Sequence, residues 1–157
     1  MPLSLRGARV IIVDADGVFT RLPDGKKLEG IEAFETFLRL PAFQDVLIMV
    51  AGEWKRYLTV QRIREFFSED IAARIVGATP QVENTDTFRS HVEIFEWLDA
   101  HPEIANYVVL ESSGYAPIPP HVEVGAFVPL GEVFSEAEYG KLVFLLRTPC
   151  LGSTQSH

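Results

Sequence analysis

Apolar residues along the chain fall into two alternating patterns. Ala8 to Asp14 is a continuous, β-branched run that ends in acids, the signature of a buried strand. Val46 to Ala51 repeats it, Ala73 to Gly77 gives a short third strand, Tyr107 to Leu110 a fourth and Val122 to Val128 a fifth. Between these runs apolar residues recur at helical spacing. Ile31 to Leu40 sets Phe34, Phe37 and Leu38 on one face, and Pro41 ends it. Trp54 to Phe67 is a second helix, with Leu58, Ile63, Phe66 and Phe67 as core contacts. Asp86 to Ala100 is a third, N-capped by Asp86, with Val92, Phe95 and Leu98 facing inward. Ser135 with Glu138 three residues on forms a capping box for a last helix. Phe19 to Gly30 is polar, with Pro23-Asp24-Gly25 as a turn signal.

Strand–helix alternation with continuously apolar strands predicts an α/β domain: a mostly parallel, five-stranded sheet covered on both faces. No repeat or linker interrupts it. Residues 1–148 are expected to form one domain, and 149–157 a disordered tail. No insertion is long enough for a cap domain, and Phe19 to Gly30 could form only a small flap. In sheets of this kind ligands bind beyond the carboxyl ends of the strands, at the topological switch point. That rule singles out three tips: Asp14-Ala15-Asp16, Ala51-Gly52-Glu53 and Glu111-Ser112-Ser113.

Composition narrows the partners. The 157 residues carry a formal net charge of −8, which disfavours non-specific nucleic-acid binding. A single cysteine, Cys150, allows no internal disulfide and no thiolate metal cluster. The first apolar run, Val10 to Val13, is too short for a signal-peptide core or a membrane span. A soluble, cytoplasmic protein is expected, with no membrane partner. A protein partner is open.

At the first tip, residues two apart in an extended chain point to the same side, so Asp14 and Asp16 can face one site. Gly17 lets the chain turn directly afterwards. Two close carboxylates attract a hard cation such as Mg²⁺. One can attack a phosphoryl group while the other shuttles a proton. On spacing alone, a solvated strand end with a turn accounts for the tip equally well. The four histidines lack metal-ligand spacing, and no nucleophile-elbow serine or glycine-rich phosphate loop is present. Trp54 and Trp97 sit at core-like helical positions, and Gly114 to Pro120 reads as a plain loop.

The segment Val10-Ile-Ile-Val-Asp14-Ala-Asp16-Gly17-Val18-Phe-Thr20 resembles the first motif of the haloacid dehalogenase (HAD) superfamily. Further segments, in order, resemble its small capless branch related to HAD domains of bacterial RNA-repair (Swiss Army Knife) proteins. They are Leu47-Ile-Met-Val-Ala51-Gly52-Glu53-Trp54-Lys55, Ile71-Ala-Ala-Arg-Ile-Val-Gly-Ala-Thr79-Pro80, the helix from Arg89 to Leu98, and Tyr107-Val-Val-Leu-Glu111. The resemblance spans roughly residues 8 to 147. It implies a three-layer α/β/α Rossmann-like domain that hydrolyses a phosphorylated substrate. Asp14 would be the nucleophile and Asp16 the general acid/base. Asp14, Asp16 and Glu111 would hold Mg²⁺, and Gly17, Ala51, Gly52 and Arg89 would line the phosphate. Arg89 also fits an ordinary exposed helix arginine.

Two motifs depart from the pattern. Ala51, or Gly52 one residue on, stands where the family offers a Ser or Thr hydroxyl. Losing one donor aimed at a developing negative oxygen costs on the order of 10²–10³ in rate. Glu111-Ser112-Ser113 stands where the family has consecutive aspartates, and Glu53 adds an acid of its own. Three readings fit: a slow or specialised phosphohydrolase, a domain that binds metal or phosphate without turnover, and a fold kept for protein contacts.

Overall fold

The computed structural model describes residues 4–14, 20–21, 28–52, 58–81, 89–112, 127–130 and 134–147. For residues 20–21, 28–29, 89–91, 111–112 and 127–130 the description covers the backbone. β1 (Arg9–Asp14) is buried from Val10 to Val13, as its unbroken apolar run requires. Two short segments, β2 (Thr20–Arg21) and β3 (Leu28–Glu29), pair antiparallel beyond it. The Pro23-Asp24-Gly25 turn lies outside the described residues.

α1 (Ile31–Leu38) buries Phe34, Phe37 and Leu38 completely, the face read from the sequence. Pro41 ends that pattern and opens a 3₁₀ turn at Pro41–Phe43, where its missing N–H costs nothing. β4 (Leu47–Ala51) follows and is buried throughout.

The second helix is shorter than the sequence suggests: α2 is Val60–Arg64. Thr59 sits in extended backbone, and its side chain accepts from the Arg62 N–H at 3.1 Å, so the helix starts there. Residues 53–57, with Trp54, lie outside the description. A short helix not anticipated from sequence, α3 (Glu69–Ala72), comes next. Its start is set by tertiary contact, because Glu35 accepts from both the Ser68 N–H and the Ser68 hydroxyl at 2.7 Å.

β5 (Ile75–Ala78) begins two residues later than expected. Arg74 instead reaches back to backbone carbonyls at the start of the sheet. α4 is described over Arg89–Ala100, and the anticipated first turn with its Asp86 cap lies outside the described residues. Its inward stripe also differs. Glu93, Ile94 and Trp97 are the deep positions, at 0%, 1% and 6% exposure, whereas Val92, Phe95 and Leu98 are half-buried. A helix lying on a sheet buries an i, i+3, i+4 stripe, and bulky Trp97 fixes which one. β6 (Asn106–Ser112) extends past Leu110, so Glu111 and Ser112 belong to the strand. β7 is Phe127–Leu130, and residues 122–126 lie outside the description. Ser135 caps a 3₁₀ turn, accepting from the Ala137 N–H at 3.3 Å, and α5 (Tyr139–Leu146) follows. The 149–157 tail lies outside the described residues.

Four strands form an all-parallel sheet in the order β5-β4-β1-β6, and β7 joins parallel at the β6 edge. Apolar cores lie on both faces. Ile11, Val13, Ile48 and Val50 pack with α1 and α5, and Val10, Ile12, Met49 and Val109 pack with α4. The architecture is a Rossmann-type α/β fold. Among the described residues, no helix is long and apolar enough to cross a membrane.

Candidate active site

Strand order locates the switch point. From β1 the chain runs to β4 and β5 on one side, then crosses to β6 and β7 on the other. The switch point therefore lies at the carboxyl ends of β1 and β6, where the connections leave in opposite directions. Asp14 is the last residue of β1 and pairs with Ala51 of β4. Val13 pairs with Leu110, which sets Glu111 beside Asp14 on the other flank. One row across the sheet thus carries Ala51, Asp14 and Glu111, three of the residues singled out from sequence.

Asp14 is half-buried, and its Oδ1 is sealed from solvent. Ala51 is fully buried and brings only a methyl group to the row. Gly52 turns the chain out of β4 with φ of 91°, a left-handed conformation that a side chain would strain. Its place in the site is thus dictated by backbone shape as well as by room for a ligand.

Arg89 opens α4, whose Ile94 and Trp97 cover the Asp14 face of the sheet. Asp16, Gly17 and Glu53 lie outside the described residues. Two residues on or near this face were not singled out from sequence. Glu93 of α4 is completely buried, and Thr79, directly after β5, is 3% exposed. An acid amid apolar helix positions could have flagged Glu93. Thr79 closes the family-like segment Ile71 to Pro80, but periodicity does not place it in the sheet, because its position depends on the β4–β5 register.

A groove of about 780 Å³ lies elsewhere, lined by Leu5, Arg64, Val76, Trp97 and His101 among others. None of the candidate residues whose side chains are described lines it, so the switch-point chemistry outweighs its size.

Residues 10–125 match the family model of the HAD domain in Swiss Army Knife RNA repair proteins. That match spans most of the chain. The chain belongs to this HAD family. No curated protein and no solved structure matches it significantly. In this HAD domain Asp14 ends the first strand within the matched region, and Ala51 and Glu111 flank it. HAD domains typically use Mg²⁺. Among the described residues, no group of three or more His, Cys, Asp or Glu is arranged to hold a metal ion. The donors the row does offer are carboxylate oxygens, the type a hard cation prefers.

Proposed function

We propose that this HAD domain is a phosphohydrolase acting through an aspartyl-phosphate on Asp14. The observation that carries the reading is the half-buried Asp14 carboxylate at the switch-point edge of the parallel sheet. A carboxylate Oδ of Asp14 attacks phosphorus, and the bond from phosphorus to the ester oxygen breaks. Asp16 gives its proton to the departing alkoxide. Water then attacks the aspartyl-phosphate, Asp16 takes back a proton, and orthophosphate leaves with the Asp14 carboxylate restored. Mg²⁺, held by Asp14, the Asp16 backbone carbonyl and Glu111, would supply positive charge to the phosphoryl oxygens when bound. Gly17, Gly52 and Arg89 are the remaining phosphate contacts. The substrate class is a phosphomonoester, and the RNA-repair membership of the family makes a terminal phosphate on RNA one candidate to assay.

Phosphate release from a panel of phosphomonoesters with millimolar Mg²⁺ tests the reading. Release is expected, and Asp14→Asn should lower it on the order of 10³-fold or more. Activity unchanged in Asp14→Asn would refute the nucleophile assignment. A second reading, a phosphate-binding domain without turnover, is favoured by the buried Ala51 methyl in the site row. Orthophosphate binding with no release from any ester would select it.

A further inference from the structure

We propose that Thr79 supplies a phosphoryl-oxygen hydrogen bond at the Asp14 site, reaching over the methyl of Ala51. This inference rests on the reading of the Asp14 edge as a phosphoryl site. Its first support is register. Ile48 pairs with Ile75, but Met49 pairs with Gly77 and Val50 with Ala78, so one extra residue bulges from β5. Without the bulge, Ala78 would stand opposite Ala51. With it, Thr79 does, and the Thr79 N–H still donates to the Val50 carbonyl at 2.9 Å. Bulges beside functional sites re-aim side chains in this way.

Packing agrees with the register. Ala78 joins the core on the α1 side, while Met49 and Ala51 join the α4 side, to which Ile12 also belongs. Alternation then sets Thr79 and Asp14 on the same face, in one row with Ala51 between them. Two strand spacings separate their backbones by about 10 Å. A tetrahedral phosphoryl group poised at the Asp14 carboxylate, plus one O–H···O bond of about 2.7 Å, can bridge that interval.

The second support is independent of register. The Thr79 Oγ1 is sealed from solvent and has no hydrogen-bond partner among the described residues. A buried hydroxyl without an acceptor is costly and rare in a folded domain, so it calls for an explanation. A phosphoryl oxygen at the Asp14 edge is the acceptor that would complete it.

Orthophosphate binding to the full chain, measured by calorimetry with Mg²⁺ present, tests the proposal. Thr79→Val keeps the shape and removes the hydroxyl. It should weaken binding roughly ten- to a hundredfold, while thermal stability holds or rises because no bond within the protein is lost. Thr79→Ser should retain affinity within a few-fold. Equal binding by parent and Thr79→Val would overturn the role of Thr79 and leave the phosphoryl site standing. Failure of Thr79→Ser to retain affinity would overturn it too, as would a lowered melting temperature with unchanged affinity. No binding by the parent would overturn the phosphoryl reading itself, and this inference with it.

Discussion

At the edge where the strands begin, two arginines are tied down by backbone carbonyls; at the edge where they end, a buried hydroxyl has no acceptor among the described residues. Arg74 donates to the carbonyls of Val46, Leu38 and Phe43, at 2.9, 2.8 and 2.5 Å. Burial pushes its pKa down from the usual arginine value, yet those carbonyls receive its donors. Arg9 does the same for Leu146 and Ala42, each at 2.7 Å, pairs with Asp45, and lies over the Phe43 ring. Asn106 adds a bond to the Leu145 carbonyl at 2.7 Å. The starting edge is thus closed by side chains that satisfy chain ends and turns. The finishing edge holds Asp14, Ala51, Gly52 and Thr79, the groups on which the proposed phosphoryl site rests. The difference separates residues kept for the fold from residues proposed for chemistry.

The sharpest way to break this comparison is Arg74→Met, which keeps most of the apolar stem and removes the donors. Three carbonyls would lose a charged partner, and the expected loss is about 3 kcal/mol or more of unfolding free energy. Urea denaturation would read it as a lower midpoint. Orthophosphate affinity of the molecules that remain folded should not change. A loss below about 1 kcal/mol would mean that apolar packing alone closes this edge.

Next in size is Glu35→Ala. Glu35 is only 7% exposed and accepts two bonds from Ser68, so it fastens the start of α3 to α1. Removing it should cost about 1–3 kcal/mol and speed hydrogen exchange at the Ser68 amide. Unchanged exchange there would show that α3 is held by Ile71 in the core instead.

The same contrast governs what could be read from the sequence. β1, α1 and β4 were legible because a local pattern and burial agree in them: unbroken apolar runs are strands, and Phe34, Phe37 and Leu38 repeat at helical spacing. Asp14 was legible because the first motif is contiguous. The start of α3 was not, because a side chain 33 residues away decides it. The start of β5 depends likewise on Arg74 reaching Leu38, Phe43 and Val46. The α4 stripe was misjudged because Glu93 is buried against expectation for a carboxylate. Thr79 stood in a family-like segment, Ile71 to Pro80, but nothing in the periodicity tied it to Asp14, because no periodicity records the register shift in β5.

The smallest expected effect tests whether charge pairing by itself, without burial, helps hold the starting edge. Arg39 grips Asp70 through Nε and Nη2 at 3.0 and 2.9 Å, a two-pronged contact in open solvent. Its hydrogen bonds hold the Asp70 carboxyl below the ordinary carboxylate value. A carboxyl whose pKa is lower folded than unfolded adds stability that is full above the unfolded value. That stability is lost as pH falls through the folded value. Asp70→Asn should therefore be slightly less stable than the parent at neutral pH, and the two unfolding curves should converge in acid. Added salt should close the same gap at neutral pH, since solvent and ions screen so exposed a pair. A gap that survived both acid and salt would mean that Asp70 acts through α3 packing. The starting edge would then owe its strength to more than carbonyl-bound arginines.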